Sequence, residues 1–141
     1  MISFSTGLST KMSAIENTMK KLFDEGELHL FSSPRPDTAD LCETGAPLAI
    51  LKLDGTNGLL WEGPKREDIV KPKDDQWFGN GLINGHADWF RVYDKNIKTG
   101  ASTTAVRFDG DCGTYKELPL PFDNIEKGVR VYAETLSAIF M

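Results

Sequence analysis

The sequence predicts a mainly β fold, an antiparallel β-sandwich or jelly roll with one N-terminal amphipathic helix. Three observations carry that prediction. Short runs of alternating apolar and polar residues recur along the chain, separated by turn-forming residues. Helical periodicity occurs in one place only, near the N-terminus. The 13 glycines and 7 prolines among 141 residues suit many short strands and turns better than a helical bundle. A chain of this length buries a core without staples, and it reads as a single domain over residues 1–141, with the helix at about 6–25 and the β-sandwich at about 27–141.

Composition narrows the class further. An apolar content of 40% with 10% aromatics excludes a disordered chain. The net charge is −5, and no basic cluster exceeds a pair such as Lys20-Lys21, which argues against free nucleic acid as a partner. No apolar run approaches the length needed to cross a bilayer. Cys42 and Cys112 lack CxxC or Cys/His spacing, so no zinc site is indicated, and two reduced thiols are expected of a chain made and folded in cytoplasm.

Leu8, Met12, Ile15, Met19 and Leu22 fall at helical steps, with Phe23 beside the last and Ser, Thr, Lys, Glu and Asn between them. That spacing predicts one helix, started by Ser5 or Thr6, stopped at Gly26, and helped by Lys20 and Lys21 in its last turns. Its apolar stripe suits packing on the chain's own sheet, with a coiled-coil contact to another chain as the alternative. Residues 27–32 alternate Glu27, His29 and Phe31 against Leu28 and Leu30, a strand pattern. Pro34 and Pro36 hold the following loop, 33–40, extended, irregular and exposed. Residues 46–53 are apolar almost throughout, as a central strand is, and Asp54-Gly55 and Asn57-Gly58 turn the chain at its end. Residues 63–76 are polar, hold two prolines and read as an exposed excursion. Trp77-Phe78 returns to apolar surface before Gly79-Asn80-Gly81 breaks regular structure.

The clearest signal lies between 86 and 114. Ala87, Trp89, Arg91 and Tyr93 alternate with Asp88, Phe90 and Val92; a polar stretch ends in Gly100, and a second β-rich run follows at 103–108. The two runs predict an antiparallel hairpin. Asp109-Gly110 and Cys112-Gly113 predict two sharp turns. Residues 117–122 set Leu118, Leu120 and Phe122 against Glu117, Pro119 and Pro121, an arrangement confined to an edge strand. Residues 123–128 predict a turn and 129–137 a closing strand. The expected core is Leu28, Leu30, Ile50, Leu51, Phe90, Val92, Val129 and Val131.

Chemistry-bearing constellations are scarce. His29 and His86 lie on different elements, and no serine or cysteine stands in a nucleophile-elbow context, so both histidines are assigned structural roles. Asp109-Gly110-Asp111 and residues 54–58 look like fragments of calcium loops but lack the closing glutamate, and turn chemistry accounts for them. Trp61, Trp77 and Trp89 read as core in preference to a sugar-binding platform. The expectation is a chain with no catalytic residue, metal or cofactor, whose work is contact with a partner. The contact residues proposed from sequence are Arg35 and Pro36 in the loop 33–40, and Lys65 and Arg66 in the excursion.

A helix and then several segments, in order, resemble a family of small structural proteins of tailed bacteriophages: GELHLFSSPRPDTADLCETGAPLAILKL (26–53), WFRVYD (89–94), RFDGDCGT (107–114) followed by a Leu-rich strand, and VRVYAETLSAIF (129–140). The chain departs from the family pattern at 111–114, where Asp111 replaces a small residue, and in the excursion 63–76. The resemblance implies a virion protein synthesised in the host bacterial cytoplasm. It implies first a capsid decoration, or cement, protein bridging major capsid proteins as a homo-oligomer, and second a tail, collar or fibre-associated component. A carbohydrate-binding module is the alternative from another class.

Overall fold

The structure is a computed structural model that describes residues 1–141. In chain order its elements are β1 (Ser3–Phe4), α1 (Thr6–Met12), α2 (Met19–Phe23), β2 (Glu27–Phe31), β3 (Ala49–Leu53), β4 (Asp68–Val70), β5 (Trp77–Asn80), β6 (Gly85–His86), β7 (Trp89–Tyr93), β8 (Arg107–Asp111), β9 (Asn124–Ile125), β10 (Arg130–Ala133) and β11 (Ser137–Ile139). Seven strands form one antiparallel sheet in the order β1-β8-β7-β2-β3-β5-β10, with two-stranded ribbons β11-β4 and β6-β9 beside it. The mainly β, antiparallel class read from the alternation is what the chain adopts. No helix is long and apolar enough to cross a membrane.

The aromatic run forms the expected hairpin: β7 pairs with β8 from Trp89↔Asp111 to Tyr93↔Arg107, and β2 flanks β7 with Leu28 opposite Val92 and Leu30 opposite Phe90. Two-residue alternation then sorts the side chains. Leu28, Leu30, Phe90, Val92 and Phe108 face the core, all fully buried. Phe108 is its hub, with the rings of Phe23, Phe4, Phe90 and Trp61 within 5.0–6.4 Å. Gly110 is part of this packing: a Cβ there would lie 2.5 Å from the Phe90 ring.

β3 joins the two halves of the sheet. Its first residues pair with β2 and its last two, Lys52 and Leu53, with β5. It is central, as its apolar run implies. Gly79 continues β5 as a strand instead of breaking it, because a Cβ at that point would sit 2.0 Å from the Ile50 carbonyl oxygen; only glycine admits the close backbone approach.

The single helix expected at 6–25 is two helices separated by residues 13–18. Ser5 caps α1 and Thr18 caps α2, each accepting from the amide three residues on. Between them Ser13 bonds the Thr10 carbonyl and Asn17 the Lys11 carbonyl, short polar side chains competing for helix groups. Arg66 completes the break by donating to the carbonyls of Met12, Ala14 and Ile15. Ile15, assigned to the apolar stripe, is therefore 84% exposed, while Leu8, Met12, Met19 and Phe23 are buried.

Other expectations need correction. Asp109-Gly110 lies inside β8 and makes no turn; the reversal comes later, at Gly113 (φ 127°). Residues 117–122 form no strand, since Leu118 is held by one bridge to Cys112 and the prolines deny the rest a ladder. The closing strand is split into β10 and β11, and β11 pairs with β4, so the excursion 63–76 is partly ordered sheet. Ile50 is only half-buried, on the face opposite Leu51, and Val129 is 43% exposed beside Gly128.

Candidate functional site

The densest chemistry lies on the other face of β2, β7 and β8, where His29, Phe31, Trp89, Arg91, Tyr93, Arg107 and Asp109 stand. The loop between β2 and β3 covers this face. Arg91 and Asp109, both fully buried, make a two-pronged ion pair, Nε to Oδ1 at 2.6 Å and Nη2 to Oδ2 at 2.9 Å. Glu43, carried in by the loop, lies 3.5 Å from Arg91 Nη1, accepts the Tyr93 hydroxyl at 2.5 Å and accepts the Gly100 amide at 2.8 Å. Arg107 donates to the carbonyls of Ala39, Leu41, Lys98 and Gly100. One guanidinium thus ties the loop to the hairpin connection.

The electrostatics follow from this geometry. Burial pulls the Arg91 guanidinium down, but the Asp109 carboxylate outweighs it and leaves it raised. Burial would raise Glu43, yet the hydrogen bonds from Tyr93 and Gly100 and the Arg91 charge hold it below the usual carboxylate range. Burial and the neighbouring Glu43 push the Tyr93 phenol up. Burial lowers His29, only partly offset by the Glu27 carboxylate at 2.9 Å. A groove of about 400 Å³ opens beside these groups, lined by His29, Phe31, Cys42, Glu43 and Tyr93 among others. His29 bonds to Glu27 and its ring lies tilted 4.5 Å from that of Tyr93, while Glu43 is held by Tyr93, Gly100 and Arg91, so these groups lock loop to sheet. His86, on β6, pairs with Asp88 at 2.9 Å.

Sequence reasoning missed this network. Arg91, Tyr93, Arg107 and Asp109 do share one parity of the two hairpin strands, which is the available signal; nothing local indicates that Glu43 or the carbonyls meet them. Trp61, Trp77 and Trp89 are buried. Cys42 is exposed and Cys112 buried, unpaired, with the Cys112 thiol pushed up to about 12 by burial and by the charges of Asp88, Asp123 and Asp111.

The proposed contact residues divide. Lys65 is exposed. Arg66 is occupied with the helix carbonyls described above. Arg35 binds Asp111 at 3.1 Å and donates to the Met1 and Asp109 carbonyls, and Pro36 is buried. The loop 33–40 is therefore a clamp on β8 more than a free arm, and the exposure expected of Arg35 and Pro36 is not found.

The open surface lies at the end of the sheet. β10 pairs only with β5, and opposed residues in an antiparallel ladder alternate between exchanging both backbone bonds and exchanging none. The Gly81 amide donates to the Val129 carbonyl at 2.9 Å, so Val131 and Ala133 carry the bonds to β5. The N–H and C=O of Arg130 and Tyr132 consequently point outward, away from the sheet. Val129 (43% exposed) and Tyr132 (39%) flank them, and Leu82 and Ile83 follow directly after Gly81, both exposed.

No family model matches the chain, and neither curated proteins nor solved structures give a match.

Proposed function

We propose that the chain is a structural protein of a tailed-bacteriophage virion, a capsid decoration protein that bridges neighbouring major capsid proteins and performs no catalysis. The observation that carries this reading is the open edge at β10, with exposed Val129 and Tyr132 on it and exposed Leu82 and Ile83 continuing the chain after β5. Exposed apolar side chains next to unpaired strand groups gain most when another protein covers both at once. The ionisable groups of the opposite face support the same reading, since they are spent on fixing loops to the sheet. The segments that carry the phage resemblance also build this framework: 26–40 supplies β2 and the clamp, 89–94 and 107–114 the central hairpin, and 129–140 the open edge.

The test is made on purified particles. Hundreds of copies per particle, lost when Leu82→Asp and Ile83→Asp are combined, is the expected result. A few copies would move the protein to the tail or collar, the second reading of the same resemblance. Its absence from particles would overturn the proposal.

A further inference from the structure

We propose that two copies of this chain join edge to edge through β10, antiparallel about a twofold axis at Tyr132, so that the two sheets continue across the contact. The inference builds on β10 as an assembly surface and names one occupant for it. Arg130 and Tyr132 are exposed while Val131 and Ala133 are buried, so the two share the outer face of β10, and Glu134, also exposed, stands at the bend directly after it. Turning a copy about Tyr132 sets Arg130 against the partner's Glu134, twice, and Tyr132 against the partner's Tyr132. The residues whose backbone groups point outward are then the ones brought into bonding pairs.

The twofold registers about the two preceding residues are poorer. An axis at Arg130 opposes two guanidinium groups, and an axis at Val131 leaves Glu134 facing the partner's Gly128, with no charge to meet. Neither Arg130 nor Glu134 forms an ion pair inside its own chain. Arg130 rests on the Phe78 ring at 4.0 Å, and Glu134 borders an open cleft. A lone edge arginine discourages self-pairing; arginine and glutamate spaced evenly about a tyrosine make the edge complementary to itself.

Sedimentation equilibrium of the purified chain, without particles, decides it. The expected result is a reversible monomer–dimer equilibrium with a midpoint below about 1 mM. Tyr132→Pro removes an outward N–H and spares the inward ladder, so it abolishes the dimer with the circular dichroism spectrum unchanged. Arg130→Glu weakens the dimer about tenfold or more, and Arg130→Glu with Glu134→Arg restores it. A chain monomeric at every concentration overturns the inference, as does a dimer that survives both Tyr132→Pro and Arg130→Glu. If Tyr132→Pro unfolds, the charge reversal and its rescue, both on exposed side chains, settle the matter: a dimer indifferent to both overturns the inference. Particle incorporation is read separately, so a dimer missing from particles overturns the proposed function and leaves this contact standing.

Discussion

Replacing Arg91 by leucine removes both donors to Asp109, whose two side-chain hydrogen bonds come from that one guanidinium. Neither side chain has any exposure, so the orphaned carboxylate has no route to water. Breaking a buried pair on one side costs about 3–5 kcal/mol at neutral pH, against a whole-domain stability of about 5–15 kcal/mol. Burial already holds the Asp109 carboxyl above the usual range in the parent, with Arg91 offsetting it, so loss of Arg91 steepens an existing pH dependence. Burial without its partner favours the neutral acid still more, so the folded pKa of Asp109 in the variant rises further above the unfolded value of about 3.9. The folded state then binds a proton that the unfolded state releases; that stability is present below about pH 3.9 and is lost as pH rises through the folded value. Urea titrations followed by fluorescence of the buried tryptophans should therefore show a deficit that widens from about pH 4 to pH 7. Replacing Asp109 by leucine as well should recover part of the loss, because two apolar side chains leave no stranded charge. A deficit below about 1 kcal/mol, or one that stays constant with pH, would refute this account of the pair.

Three further outcomes are expected. Glu43→Gln should destabilise by about 1–2 kcal/mol; because the Glu43 pKa is lowered in the fold, its contribution is present above about pH 4.3 and fades as pH falls, so the variant should lose less stability on acidification than the parent in urea melts. Arg66→Ala should cost about 1–3 kcal/mol, since three carbonyls of the helix break lose their donor, whereas Lys65→Glu next to it should stay within about 0.5 kcal/mol; equal losses in thermal melts would contradict the role given to Arg66. Alkylation with iodoacetamide, followed by mass spectrometry, should label exposed Cys42 in the native protein and Cys112 only after unfolding, because the buried thiol is raised to about 12; native labelling of Cys112 would show that its cover opens.

The nearly continuous apolar run of β3 was enough to place it centrally, and alternation was enough to determine the hairpin β7–β8 and the strand β2, because a strand with one face on a core must repeat every second residue. It also sorted Leu28, Leu30, Phe90 and Val92 inward. Periodicity overreached in residues 6–25: the apolar spacing continues across 13–18, but Arg66, 51 residues beyond Ile15 in sequence, takes the carbonyls that a continuous helix would have used. Contacts of that kind leave no local mark. The same holds for Arg35, whose proline-rich setting reads as an exposed arm until the fold brings Asp111 to it. Strand parity placed Arg91, Tyr93, Arg107 and Asp109 on one face; only the tertiary structure, by laying the loop with Glu43 over them, made that face a buried network. The open edge was likewise decided by sheet order: Arg130, Tyr132 and Glu134 alternate visibly in the sequence, but which side of β10 lacks a neighbour depends on β5 pairing with the other.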